Sequence, residues 1–364
     1  MPIYTPQDAQ ISAQNETVFG VLNSGLWATV KSYAFISESL DFTKNVKQDA
    51  GLRSGYRVAR SPRRYVPTAE GTGDISLELQ DKVLGQFLQA AFGLASSTGI
   101  TGVSGGFQQM FTIGNTSTNG PALRPSMSIQ KVIPNVIAQT LDQVTLLGAT
   151  IDNFSFAFPN ADFATAKFTI NAKDVNTSAI YAGAPIYTVS PTLFHFGQAN
   201  VQICTLSNLI VPTATTPTPV TGLAQVASPI GNVNIRSAEI QVDCKADQAR
   251  YNLGGGGRKS QPVAGMWDIK GKFTAEYTTT YFRDAYLNET PFSLVLTYTT
   301  PTLLSGTTFT TMQLVLPEVK LDSAVPQVNG TDLVTTDFNF SVLDPLSGTI
   351  QPIYFVLYTS DPAL

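Results

Sequence analysis

The chain has little charge, one histidine and two cysteines. Of its 364 residues, 13% are Asp, Glu, Lys or Arg, which is about half of the share usual in soluble globular proteins. This composition argues against a coiled coil and a disordered chain, and the net charge of −4 argues against a basic nucleic-acid-binding face. The surface must therefore consist mainly of uncharged polar residues, and the 28 glycines and 22 prolines predict many turns.

Few residues are suited to catalysis or metal binding. A Ser–His–Asp or Cys–His site would have to use His195, and neither Cys204 nor Cys244 lies in a recognisable nucleophile motif. No CxxC or HExxH spacing occurs, so we expect no catalytic residues, no metal ligands and no cofactor. We interpret His195 as a strand residue and the cysteines as buried thiols, with one disulfide as the alternative. Carboxylate-only catalysis needs no histidine and stays open.

Targeting and membrane signals are also absent. The first residues lack a basic segment followed by an apolar one, and no uninterrupted apolar run approaches about 18 residues. We therefore expect neither a signal peptide nor a membrane-spanning segment.

Apolar and polar residues alternate in several segments, which is typical of half-buried β-strands. The first half has such segments at 31–44, 74–79, 151–158 and 166–174, and the second half at 238–244, 267–277, 312–321 and 335–344. In each half an amphipathic helix follows the second strand, at about 81–92 and about 280–288. We therefore predict a mainly β fold with two tandem sandwich or half-barrel units, residues 1–185 and 186–364, each with one helix.

Three polar segments are predicted as loops. An arginine-bearing segment spans about 45–73, a Pro/Thr-rich segment about 211–221, and a segment with four consecutive glycines about 250–260. The first and third occupy the same position in the two predicted units, between the first and second strands.

Several of these segments resemble the phage major tail tube family. The resemblance lies in Ser37–Phe42, in Gly73–Leu79 with the helix that ends at Gly93, and in Leu147–Phe156 and Ala166–Asp174. It implies a non-enzymatic structural protein: a β-sandwich with a helix, assembled as rings that stack into the DNA conduit of a non-contractile tail. The implied partners are further copies of the chain, the tape measure protein and viral DNA in the lumen, and the tail terminator and tip proteins. The implied location is the virion tail, assembled in the host cytoplasm without a membrane.

Two units per chain would make three chains sufficient for one ring. If each unit gives four strands to a common barrel, six units give about 24 strands and a backbone circle on the order of 50 Å across. This width admits a DNA duplex with solvent around it. We predict a homotrimer with pseudo-sixfold symmetry; the alternative is a homohexamer in which each chain uses one unit for the lumen.

The polar sides of the strands are predicted to face the lumen. They carry Asp41, Asp74, Glu78, Lys167, Lys173, Glu239, Asp243, Lys245, Asp268, Lys270, Lys272, Glu276 and Asp337. Acids outnumber bases in this set, and a mildly acidic lining would keep a passing polyanion from binding. The alternative is an ordinary solvated strand face.

The arginine-bearing loop and the glycine-rich loop are predicted to contact the neighbouring ring. Their cationic residues are Arg53, Arg57, Arg60, Arg63, Arg64, Arg250, Arg258 and Lys259. We expect them to pair with carboxylates of the next ring, and the glycine-rich loop to need backbone freedom until a partner orders it. The alternatives for the arginines are a nucleic-acid contact or a solvated loop. Two other functions for the whole chain stay open: a carbohydrate-binding protein or glycosidase, and a baseplate or capsid decoration protein.

Overall fold

The computed structural model describes residues 8–23, 30–55, 57–114, 123–135, 140–179, 181–183, 185–187, 191–231, 233–323, 334–362 and 364. The strands of the first half are β1 Gln10–Asn15, β2 Ser32–Tyr33, β3 Ser37–Glu38, β4 Asp41–Gln48, β5 Arg64–Glu78, β6 Leu94–Gly99, β7 Phe107–Thr112, β8 Met127–Asn135, β9 Thr140–Phe158, β10 Thr165–Ala172 and β11 Asp174–Asn176. The later strands are β12 Ala199–Cys204, β13 Leu209–Ile210, β14 Gln225–Val226, β15 Ile235–Asp243, β16 Asp268–Glu276, β17 Phe292–Ser305, β18 Thr308–Leu321, β19 Thr335–Val342 and β20 Tyr354–Thr359. The α-helices are α1 Gly85–Phe92 and α2 Tyr281–Leu287.

The prediction of a mainly β fold is confirmed. All strands except the small β13–β14 pair belong to one hydrogen-bonded, antiparallel network, which does not close into a barrel within the described chain. The alternation seen in the sequence becomes alternating burial, because successive side chains on a strand point to opposite faces. In β10, for example, Phe168 and Ile170 are buried, and Lys167 and Thr169 are exposed.

Eight of the strands form the sheet that organises the molecule. Their spatial order is β4–β5–β10–β9–β15–β16–β19–β18, and each neighbouring pair is antiparallel. The first four strands come from the first half of the chain and the last four from the second half. The pairing of β9 with β15, from Phe158 opposite Ala238 to Asn153 opposite Asp243, joins the two groups.

The two halves use the same strand pairings in the same order. The pairs β1–β8, β8–β9, β9–β10, β5–β10 and β4–β5 have the counterparts β12–β17, β17–β18, β18–β19, β16–β19 and β15–β16. The register agrees too, since Phe168 lies opposite Ile75 and Phe338 lies opposite Phe273. However, one apolar core and one strand network run through both halves. The division into two units at residues 185 and 186 therefore remains a prediction.

Each helix covers part of the apolar core. On α1, Phe92 is fully buried, and its ring centroid lies 4.9 Å from that of Phe154. On α2, the ring centroid of Phe282 lies 4.8 Å from that of Phe338. Helix α1 begins later than the predicted residue 81 because Val83 has a φ of 74°, which an α-helix does not accommodate. It ends at Gly93, whose φ of 92° suits glycine.

The arginine-bearing loop is shorter than predicted. Strand β4 continues to Gln48 and β5 begins at Arg64, so the connecting segment covers residues 49–63 instead of 45–73. Residues 45–48 and 64–67 are exposed on both sides of the strands. Their sequence therefore lacks the apolar alternation that indicates a strand. We call residues 41–73 the β4–β5 arm. The end of β5, residues 74–78, faces the core and is not part of the arm.

The structure also tests the predictions for the two cysteines, His195 and the Pro/Thr-rich segment. Cys204 and Cys244 are both free and buried. His195 makes one isolated β-bridge, with Phe163, and its Nδ1 accepts a hydrogen bond from the Gly197 N–H at 3.2 Å, so it caps a short 3-10 helix instead of lying in a regular strand. The Pro/Thr-rich segment is a loop, but it is anchored: the Gln108 side chain donates to the Thr213 carbonyl at 2.9 Å.

Candidate assembly surfaces

One face of the eight-stranded sheet is polar and open to solvent. It results from the alternation that buries the phenylalanines on the opposite face. Eleven of the predicted lumen-facing residues lie on the strands of this sheet and outside the apolar core: Asp41, Asp74, Glu78, Lys167, Glu239, Asp243, Asp268, Lys270, Lys272, Glu276 and Asp337. The structure therefore brings together residues that are far apart in the sequence, whereas their lining of a lumen stays a prediction.

Lys173 lies apart from this set. It follows β10, and its ammonium lies 5.2 Å from the ring centroid of Phe19 and 3.4 Å from the Phe19 carbonyl oxygen. A β-bulge between Thr169 and Ile170 precedes this position in the β9–β10 pairing. Lys173 therefore contacts the segment after β1, and the simple alternation does not describe its surroundings.

The cations on the polar face are paired with neighbouring carboxylates. Lys167 lies 2.8 Å from Asp74, Lys272 lies 3.2 Å from Glu239, and Lys270 lies 2.9 Å from Asp268. Beside the face, Lys245 lies 2.6 Å from Asp243 and Arg236 lies 2.7 Å from Glu276. These exposed pairs contribute little to stability. Their main effect is to leave few free cations for a phosphate backbone, which needs clustered Lys or Arg.

Two carboxyl groups of this face ionise more readily than usual. Burial alone would raise the pKa of Asp74, but hydrogen bonds from Lys167 and Thr169 hold it below its ordinary value. Hydrogen bonds from Arg236 and Asn234 likewise lower the pKa of Glu276. Both groups therefore stay negatively charged beside their cationic partners at neutral pH.

The β4–β5 arm carries the predicted arginine cluster away from the core. Arg53, Arg57, Arg60, Arg63 and Arg64 all lie at or near its tip, and Arg53, Arg57 and Arg64 are exposed. Arg63 pairs with Asp49 at 2.6 Å. The tip also exposes Leu52 completely and Val58 to 82%.

Exposed apolar side chains on the arm were missed by the sequence analysis, which considered only charge. Tyr65 and Val66 add to Leu52 and Val58, with exposures of 63% and 47%. Large apolar side chains that stay exposed make the arm a candidate surface for binding other proteins. The sequence did contain a signal for this exposure. Apolar and polar residues do not alternate between residues 45 and 73, so the apolar residues there are not predicted to share a buried face.

The glycine-rich loop is docked on the same chain, which differs from the expected free loop. Gly257 has a φ of 73°, and its carbonyl accepts a hydrogen bond from the Ala69 N–H of β5 at 3.2 Å. A side chain at Gly257 would collide with the backbone at Pro67. The loop therefore closes over the base of the β4–β5 arm, where only glycine fits.

The cations of this loop have partners inside the chain. Arg258 pairs with Asp174 at 2.9 Å and lies 5.5 Å from the Phe42 ring centroid. Lys259 is 5% exposed, pairs with Glu70 and donates to the Asn171 Oδ1 at 2.7 Å. Arg250 donates to the Gln261 carbonyl at 2.5 Å. Arg258 and Lys259 thus hold the two halves of the chain together, which argues against their expected contact with another ring.

A buried polar cluster, which the sequence analysis also missed, lies under the β9–β15 junction. Arg124 is fully buried, and its Nη2 donates to the carbonyls of Ala90, Ala91 and Ile151 at 2.8, 2.6 and 2.7 Å. Burial lowers the pKa of Arg124 and raises the pKa of nearby Asp152 to about 6. Burial also raises the pKa of Cys244 to about 11, so its thiol is protonated and inert.

The comparison with protein families decides what kind of molecule this is. The model of a family described as phage tail tube protein matches residues 6–342, nearly the whole chain. The chain belongs to the phage tail tube protein family. No curated protein matches it. The resemblance found in the sequence is confirmed, and the protein is a structural subunit of a phage tail tube, located in the virion tail.

Two features are absent from the described part of the tail tube protein. None of the helices in these ranges has the length and apolar character that crossing a membrane requires. Within the same ranges, no group of three or more His, Cys, Asp or Glu side chains is placed to hold a metal ion. The lack of catalytic activity stays a prediction, supported by the family.

Proposed function

We propose that this tail tube protein forms rings that stack head to tail into a non-contractile tube, and that the tube conducts DNA during ejection. The observation that carries the proposal is the eight-stranded sheet with one polar, solvent-open face and one apolar face. A sheet of this kind with open edges is suited to being continued by further copies around a common axis. The polar face then lines the lumen.

A ring of three chains is the preferred stoichiometry. Three chains would contribute about 24 strands, which at about 4.8 Å spacing and a tilt near 45° gives a circle on the order of 50 Å across. The repeated order of strand pairings in the two halves supports pseudo-sixfold symmetry in a threefold ring. Six chains would give roughly twice this diameter if all strands were used.

The lining would let DNA slide without binding it. The cations on the polar face are neutralised by carboxylates at 2.8–3.2 Å. Asp41 and Asp337 add negative charge, and a polyanion is repelled by such a surface. The tape measure protein would occupy the same lumen before DNA, and terminator and tip proteins would cap the two ends.

The β4–β5 arm is proposed as the contact between successive rings. Its exposed Leu52 and Val58 would pack on the next ring, and the five arginines would pair with carboxylates there. The five arginines lie at 53–64, and none of the described side chains between residues 49 and 64 belongs to the apolar core.

Electron microscopy of the purified protein tests the proposal. We expect hollow tubes or rings with a central opening, and compact monomers at every concentration would contradict it. Replacing the five arginines of the arm by Ser should leave a folded protein that forms single rings and no tubes. Arg283→Ser is the matched control, because Arg283 is a surface residue of α2 paired with its neighbour Asp284. Tubes of normal length from this variant would contradict the proposed role of the five arginines in the contact between rings.

A further inference from the structure

The glycine-rich loop brings together a lysine, an asparagine and a glutamate from distant parts of the sequence. Glu70 lies on β5 and Asn171 on the neighbouring β10, where Asn171 is opposite Thr72. Glu70 and Thr72 are two residues apart on one strand, so both side chains point to the same face of the sheet as Asn171. Lys259 reaches this face from the loop, 88 residues after Asn171.

The Lys259 ammonium lies between the two other side chains. Its Nζ is 2.7 Å from the Asn171 Oδ1 and forms an ion pair with the Glu70 carboxylate. The ring of Tyr251 lies beside it, with the ring centroid 5.9 Å from Nζ, and the Tyr251 hydroxyl is 3.5 Å from Glu70 Oε2. Lys259 is 5% exposed. Its amine is thus held against a carboxamide and a carboxylate with little access to water.

The Asn171 carboxamide is held with its oxygen towards Lys259. Its Nδ2 donates to Gln248 Oε1, and the Gln248 side chain donates in turn to the Asp152 carboxylate. Because Glu70 and Asn171 lie on paired strands, their positions are fixed more precisely than positions on a loop. The geometry therefore favours one reaction partner for the amine, the Cγ atom of this carboxamide.

A lysine, a glutamate and an asparagine in contact supply the three roles that the exchange of one amide for another needs. A lysine amine becomes a nucleophile when it gives up a proton, and a carboxylate in contact with it can take that proton as general base. The protonated carboxyl group can then act as general acid towards the departing nitrogen. The carboxamide carbon is the electrophile. Holding all three groups together replaces the encounter of separate molecules.

We propose that Lys259 and Asn171 become joined by an isopeptide bond, with Glu70 as general base and general acid. Glu70 takes a proton from the Lys259 ammonium, and Nζ attacks Asn171 Cγ. The bond from Nζ to Cγ forms, and the bond from Cγ to Nδ2 breaks. Nζ loses two protons in all, and both pass through Glu70 to the departing nitrogen, which leaves as ammonium. Nothing is oxidised or reduced, so the reaction needs no co-reactant.

The bond would join the two halves of the chain at the base of the β4–β5 arm. It would close a loop of 88 residues, and such a cross-link stabilises a fold by restricting the unfolded chain, as a disulfide does. Both cysteines of the chain are free, so the halves have no disulfide between them. The inference goes beyond the proposed function and does not depend on ring formation.

Mass spectrometry of the purified full-length protein tests the bond. We expect a mass about 17 Da below the mass calculated from the sequence, because one ammonia is lost. In a tryptic digest, residues 168–173 and 259–270 should appear as one joined peptide, because trypsin does not cleave after a lysine whose amine is in an amide bond.

Two results would overturn the bond. The first is the full calculated mass with separate peptides 168–173 and 260–270, in fresh protein and after prolonged incubation. The second is the loss of ammonia without a joined peptide, which indicates that the asparagine has cyclised to a succinimide instead.

Three variants assign the roles. Lys259→Arg keeps a cation beside Glu70 but removes the amine, and Glu70→Gln keeps the side-chain size but cannot take up the proton. Both should keep the wild-type circular dichroism spectrum, have the full mass of their own sequences and give no joined peptide. Lys245→Arg is the matched control, because Lys245 is exposed and pairs with Asp243 at 2.6 Å, and it should give the joined peptide. A joined peptide in E70Q at the wild-type yield would overturn the role of Glu70. The wild-type peptide decides the bond itself, even where a variant fails to fold.

Discussion

Replacing the buried Arg124 by Met should strongly destabilise the protein. Its Nη2 donates to three buried carbonyls, two of them in the last turn of α1 and the third, Ile151, in β9. Each carbonyl left without a donor costs about 1–3 kcal/mol. Removing the cation offsets part of this cost, because burial already disfavours its charge, as the lowered pKa shows. We therefore expect a net loss of about 3–5 kcal/mol in the free energy of unfolding.

Urea denaturation followed by circular dichroism and by tryptophan fluorescence measures this loss. Trp267 is a local reporter because its ring centroid lies 4.9 Å from the Arg124 guanidinium carbon. Arg236→Met is the matched control: Arg236 pairs with Glu276 on the surface, and such pairs contribute about 0–1 kcal/mol. An R124M variant within about 1 kcal/mol of the wild type would refute the view that Arg124 connects α1 to the sheet.

Two further predictions concern the contacts between the halves. Gly257→Ala should lower the free energy of unfolding by about 1–3 kcal/mol, because the residue has a φ of 73° and its Cβ would meet the Pro67 carbonyl. Hydrogen exchange at the Ala69 amide, which donates to the Gly257 carbonyl, should become faster. The pKa of Asp152 is raised by burial from 3.8 to about 6. Its contribution to stability is therefore complete below pH 3.8 and is lost as the pH rises through about 6. In the Asp152→Asn variant, the urea midpoint should therefore depend less on pH between about 3.8 and 6 than in the wild type.

Both predictions have clear contrary outcomes. Unchanged exchange at Ala69 in G257A would mean that the glycine-rich loop does not depend on the close approach to β5. The exchange of amides in β20, which lies away from this contact, serves as the internal control. A D152N variant with the same pH profile as the wild type would assign the pH dependence to other groups.

The inner strands of the sheet could be predicted from the sequence, but the exposed ends of β4 and β5 could not. Strands such as β10 and β19 have one face in the core, so their apolar residues recur at every second position. The ends of β4 and β5 that form the arm are exposed on both sides, and no periodic pattern distinguishes them from a loop. The family resemblance and the mainly β fold could therefore be predicted, whereas the extent of the arm could not.

The site residues divide along the same physical line. Alternation places Glu239 and Lys272 on the polar face, and the structure has them there. Lys259 is buried against Glu70 and Asn171, which are distant in the sequence, so no local pattern predicts its burial. Arg124 shows the same limit, because its carbonyl partners carry no side-chain signature.

The arm belongs to only one of the two halves, and this asymmetry has a geometric consequence for a stacked tube. The corresponding segment of the second half, with Gly257 and Lys259, is folded down onto β5. A ring of three chains would therefore present three arms, although its wall repeats about every sixth of a turn. Successive rings would then have three equivalent rotational settings, about 120° apart, and the arms would fix the helical phase of the tube.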